Sequence, residues 1–237
     1  MRVIKNIYLI IVLILFLSTS TYAGSFSKTK KLMPQVYNKH EITFYCSCNY
    51  TGKKVDLNSC GYIPRKNKKR ASRIEWEHIV PASSFGKYFK EWTEGHLKCV
   101  KKNGKKYKGR KCAGKVNKKF KEMEADPINL VPSIGEANGD RSSYVYAMIP
   151  GEERKYGECD FEINNKKAEP RKKARGDIAR IYFYMDKKYP GYRIINETNG
   201  TMFYSWDKDD PVSLWEIERN KRINEVFGVY NEFVSTP

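Results

Sequence analysis

Glu77-His78 sets a carboxylate beside an imidazole in a chain of 237 residues that has only three histidines. A carboxylate oxygen suits a hard divalent cation, and a neutral imidazole can take a proton from water near neutral pH. Hydrolysing a phosphodiester requires an activated water, neutralised phosphoryl charge and help for the leaving oxygen. A cation held by a carboxylate and an amide supplies the last two, and a histidine supplies the first. Lys and Arg outnumber Asp and Glu by 45 to 27, a formal net charge of +18, as a protein handling polyphosphate should show. These residue types together predict a metal-dependent nuclease. Alone, Glu-His is a common dipeptide that equally suits a surface pair or a packed histidine.

Residues 73–80 alternate, with Ile74, Trp76, His78 and Val80 on one side, and Pro81 stops the pattern. On a regular strand Glu77 and His78 would face opposite ways, so convergence needs a bulge or a strand end. Residues 41–45 read as a short strand, and 66–70 as a basic loop. Asp126-Pro127 marks a turn, and a helix is expected from Ser133 through Ala147, weakened by Gly135 and Gly139. Pro170 opens a second helix through Ile178 and Met185, ended by Pro190-Gly191. Asp210-Pro211 caps a last one with Leu214, Ile217 and Val226 inward. Early strands and late helices predict an α+β fold.

Arg2 and Lys5 precede an apolar run over residues 7–17, and Ser18-Thr19-Ser20-Thr21-Tyr22-Ala23 follows. That is the three-part pattern of a secretory signal cut after Ala23; an uncleaved anchor is the alternative. Removal takes away Arg2 and Lys5, so the net charge falls from +18 to +16. Residues 24–237 are then expected to form one soluble, monomeric domain, periplasmic or secreted. All six cysteines lie after Ala23, and an even count in an exported chain favours three disulfides over a zinc site. Cys99 and Cys112 are the easiest pair, closing a loop rich in lysine; Cys46 and Cys48 each reach to Cys60 or Cys159. A loop of that size is worth about 3 kcal/mol in the chain-entropy model.

Read with its flanks, Arg73-Ile74-Glu75-Trp76-Glu77-His78-Ile79-Val80-Pro81-Ala82 closely resembles the signature of the bacterial endonuclease I family. The resemblance continues through Gly61-Tyr62, Arg65-Lys66-Asn67, Met123-Glu124, Gly135-Glu136-Ala137-Asn138-Gly139-Asp140-Arg141 and Ala174-Arg175-Gly176-Asp177-Ile178-Ala179-Arg180. It implies a ββα-metal (His-Me finger) core and cleavage of DNA, and often RNA, with little sequence preference, leaving 5′-phosphates. It makes His78 the general base, Glu77 and Asn138 the metal ligands, Arg110 a phosphate contact and Glu124 a further active-site acid. Oxygen donors of this kind suit Mg2+, with Ca2+ or Mn2+ as substitutes. Alone, Asn138 reads as a turn residue and Arg110 as one more solvated cation; Asn129 reads as a structural turn and Glu75 as a solvent-side pair. Two cysteines common in the family, near Ile217 and at the C-terminus, are missing, and the lysine-rich segment from Val100 to Lys111 is longer. The competing account is a non-catalytic basic protein coating extracellular nucleic acid or an anionic surface.

Overall fold

A computed structural model describes residues 24–151 and 153–234; the proposed signal at 1–23 lies outside them. Ser25 caps helix α1 (Phe26–Val36) by accepting from the Lys28 N–H, and Thr29, Met33 and Val36 form its buried side. The strand expected over 41–45 is instead a turn with one isolated bridge, Ile42 to Asn49. Disulfides Cys46–Cys159 and Cys48–Cys60 pull this stretch two ways. The chain therefore doubles back through Ser47 at φ 57°, a left-handed conformation that breaks a pleat. A short ribbon of β1 (Tyr50–Thr51) and β2 (Lys54–Val55) follows. The basic stretch 66–70 is partly helical, as α2 (Lys68–Ala71), capped by the Asn67 side chain.

Strand β3 (Ile74–His78) leads into short helices α3 (Ala82–Gly86) and α4 (Lys90–Thr93). The Cys99–Cys112 disulfide then closes the lysine-rich loop onto α5 (Arg110–Val116), which adjoins α6 (Lys118–Glu124). Strand β4 (Leu130–Ile134) returns antiparallel to β3, pairing Glu77 with Val131 and His78 with Leu130. Ser133, expected in a helix, is a fully buried strand residue, because pairing with β3 outweighs local helix signals. The helix is α7 (Gly135–Arg141), ended where Ser142 turns to φ 52°. Gly135 admits Arg70 here: a Cβ would lie 2.6 Å from the Arg70 carbonyl oxygen. Asn129 is structural, its buried amide exchanging two hydrogen bonds with the Val80 backbone.

The rest of the chain backs this unit. Strands β5 (Val145–Tyr146), β6 (Phe161–Asn164) and β7 (Lys167–Pro170) form a mixed sheet in the order β5-β7-β6. Pro170 ends β7 rather than opening a helix; α8 (Arg175–Lys188) starts one short turn later. It lies against α9 (Glu197–Asp209). Ser213, not Asp210, caps α10 (Leu214–Phe227), in a reciprocal box with Glu216. The Asp210 carboxylate instead accepts from the Gly176 N–H. Ile223 and Phe227 are the buried apolar positions of α10, whereas Leu214 is 87% exposed. Buried Arg180 donates to Glu216, Asp207 and the Asp210 carbonyl, tying α8 to α9 and α10. One apolar cluster joins Met33, Tyr45, Ile79, Phe120, Ile178 and Phe227. The fold is α+β with three disulfides. Among the described residues, no helix is long and apolar enough to cross a membrane.

Glu136, on α7, positions the loop before α2. Its buried carboxylate accepts from the N–H groups of Arg65, Lys66 and Asn67 and from the Tyr62 hydroxyl. Replacing it with alanine strands those donors, so Glu136→Ala is expected to lose about 2–4 kcal/mol in urea unfolding. Glu136→Gln, which keeps an acceptor, should lose less.

Candidate active site

β3 ends at His78; the Ile79 N–H still bonds the Asn129 carbonyl, and the chain then bends through Ile79 and Val80 toward Pro81. This strand end, rather than a bulge, lets the neighbours Glu77 and His78 line one cleft of about 280 Å3 together with Arg110 and Arg141. Both are almost fully buried, at 4% and 6% exposed. His78 Nε2 lies 2.8 Å from the Glu124 carbonyl oxygen. A carbonyl only accepts, so Nε2 carries the proton and Nδ1 keeps its lone pair. Burial lowers the imidazole pKa from 6.5 to about 3, helped by the Arg110 charge and opposed by the Glu124 bond. His78 is therefore neutral at pH 7 and can accept a proton.

The Glu77 carboxylate accepts from Tyr45 Oη at 3.0 Å and Arg141 Nη1 at 3.1 Å. Burial raises its pKa overall, opposed by Arg141 and Tyr45; the ion pair with a permanent guanidinium favours the carboxylate form. Arg141 is fully buried and also donates to the carbonyls of His78 and Ile79, at 2.8 and 2.7 Å. It thereby ties α7 to the end of β3.

One helical turn earlier, Asn138 lines an adjoining cleft of about 680 Å3 with Glu75, Trp76, His78 and Arg110. Its Nδ2 lies 3.5 Å from Glu75 Oε2. The structure thus places Glu77 and Asn138 in two clefts that share His78 and Arg110. Among the described residues no group of three or more His, Cys, Asp or Glu side chains could hold a metal. Glu77 in one cleft and Asn138 and Glu75 in the other are the hard oxygen donors there, the donor chemistry that a water-rich ion such as magnesium takes.

Arg110 opens α5, two residues before Cys112, and donates through Nε to Glu124 Oε1 at 2.5 Å. Glu124 therefore serves two neighbours: its carbonyl faces His78 and its carboxylate faces Arg110. A guanidinium bonded through Nε still carries Nη donors suited to an oxyanion.

The family model for endonuclease I matches residues 15–237. This chain belongs to the endonuclease I family. "Endonuclease-1" of Buchnera aphidicola subsp. Acyrthosiphon pisum (strain APS) is 43% identical over 217 residues, covering 89% of this chain and 80% of that protein. A "Periplasmic deoxyribonuclease" of Aeromonas hydrophila is 41% identical over 219 residues, covering 90% and 86%. An "Extracellular deoxyribonuclease" of the same organism is 40% identical over 225 residues, covering 92% of each chain.

In this endonuclease I chain, several cleft residues escaped the sequence reading. Arg141 was visible only as a residue three after Asn138, a spacing that puts both on one face of α7. Tyr45 and Phe26 are distant in sequence and carry no local signal. Glu75 pairs with Arg70 and Arg73 as expected, yet it also faces the cleft beside Asn138. The other two histidines lie outside both clefts: His40 stacks on Trp215, and His96 accepts from the Lys98 N–H.

Two measurements test this arrangement. Arg141→Met leaves Glu77 an uncompensated buried charge and is expected to lower stability by about 3–5 kcal/mol. The His78 pKa is depressed on folding, so the unfolded chain binds a proton more readily once pH drops below 6.5. From there toward pH 3 wild type should lose about 1.4 kcal/mol of stability per pH unit relative to His78→Gln. Parallel stability–pH curves for the two proteins would refute a buried neutral ring.

Proposed function

We propose that this chain is an exported, monomeric, magnesium-dependent endonuclease that hydrolyses phosphodiester bonds of DNA, and of RNA, with little sequence preference. The relatives named deoxyribonucleases support DNA as the substrate, and their names support the periplasm or the medium as the location. β3, β4 and α7 form the ββα-metal core, with His78 at the end of its first strand and Asn138 on its helix. The high net positive charge favours contact with phosphates rather than base edges.

The single observation carrying this reading is the bond from His78 Nε2 to the Glu124 carbonyl. It leaves Nδ1 as a base that takes a proton from water while the water oxygen attacks phosphorus. The P–O3′ bond breaks, the leaving oxygen gains a proton from solvent, and the phosphate stays on the 5′ side. Glu77 and Asn138 would hold the cation, which when bound would supply charge neutralisation for the phosphoryl group; Ca2+ or Mn2+ can take the same oxygen donors. Arg110 grips the phosphate through its outer nitrogens, and Glu124 aligns both Arg110 and His78. A purely binding protein would account for the charge, but gives no reason for a buried neutral imidazole with a free lone pair at a cleft.

Supercoiled-plasmid nicking tests the proposal. Wild type should nick with magnesium and stop with chelator, and slow as salt rises. His78→Ala should keep DNA affinity and lose about 10²–10⁴ in rate. Asn138→Ala should need about tenfold more magnesium or higher. Equal DNA binding by wild type and His78→Ala, with no metal-dependent nicking by either, would leave only the binding account.

A further inference from the structure

Helix α1 delivers an aromatic ring to the cleft that no step above uses. Phe26, its first residue, is half-buried, and its ring centroid lies 4.8 Å from that of His78 at 43°. The Arg110 guanidinium carbon sits 5.1 Å from the same centroid, and Lys30 Nζ 4.3 Å. The ring cannot easily drift. Ser25 caps the helix behind it, and buried Thr29 donates to the Ala125 carbonyl at 2.8 Å, one residue beyond Glu124. Phe26 and Glu124 therefore both hold Arg110: the carboxylate bonds Nε, and the ring lies beside the guanidinium. An aromatic face attracts a guanidinium through its quadrupole, which an aliphatic side chain of similar bulk does not do.

We infer that Phe26 is a positioning residue of the hydrolytic site, fixing the Arg110 guanidinium where the cleaved phosphate must lie and walling the adjacent face of the His78 ring. This rests on the proposed nuclease reading. The work of Phe26 lies chiefly through Arg110, so it belongs to the turnover step rather than to capture of the polymer, which the many other cations share.

A double-mutant cycle in plasmid nicking, with kcat and KM measured separately, is the test. Phe26→Tyr, which keeps the aromatic face, should stay within about twofold of wild type. Phe26→Leu, which keeps bulk but not the quadrupole, should lose about 5–20-fold in kcat with KM changed less than about twofold. Circular dichroism and the melting temperature confirm that Phe26→Leu folds. In an Arg110→Ala background, Phe26→Leu should cause little further loss. An undiminished second loss there, or a Tyr variant as poor as the Leu variant, would overturn the role assigned to Phe26 while leaving the nuclease reading intact. Wild type that never nicks with magnesium would overturn both.

Discussion

Arg141 and Glu77 are two full charges with almost no exposed surface, and neither could be buried without the other. Desolvating one ion alone costs several kcal/mol, so the pair persists only because its geometry and hydrogen bonds compensate. Here the compensation is dense. Arg141 donates to one carboxylate and two backbone carbonyls and lies 4.6 Å from the Tyr146 ring centroid, while Tyr45 completes the carboxylate. The carbonyls belong to His78 and Ile79, so the same guanidinium holds the end of β3 in place. The position of the imidazole and the register of α7 on the strand pair are one constraint.

Around that clasp, each additional element fixes one more side chain. Glu124 faces His78 with its carbonyl and Arg110 with its carboxylate, so α6 sets both from one residue. The Cys99–Cys112 bridge anchors the turn that carries Arg110, and α1 is pinned next to Glu124 through Thr29. Glu136 secures the approach to α2, whose Arg70 in turn grips Glu75 beside Asn138. Rigid support of this kind lets a small set of groups keep the geometry that hydrolysis requires.

Charge is divided by depth. Most lysines and arginines, including those in the loop between Cys99 and Cys112, lie at the surface, where such charges attract polyanions at long range. The buried cations Arg141 and Arg180 are occupied with buried carboxylates, Glu77 and Glu216. Between the two layers sits Arg110, partly exposed and held by Glu124 at the edge of both clefts.

The sequence by itself determined the residue types and much of the family logic. Glu77-His78 before Pro81, the Asn138 run, the even cysteine count and the α+β pattern were legible because each is a local or compositional signal. Only the tertiary structure decided which groups meet. The stretch 41–45 has strand-forming residues, yet two disulfides to distant cysteines bend it. Ser133 sits among helix signals, yet partnership with β3 makes it a strand residue. Arg141, Tyr45, Phe26 and the Glu124 carbonyl reach the site across long separations, by contacts whose strength comes from burial rather than from neighbours in the chain. Local propensity is worth tenths of a kcal/mol to about one per residue. Leaving one buried charge without its partner costs several, and closing a loop with a disulfide is worth a similar amount, so where the two conflict the long-range term prevails.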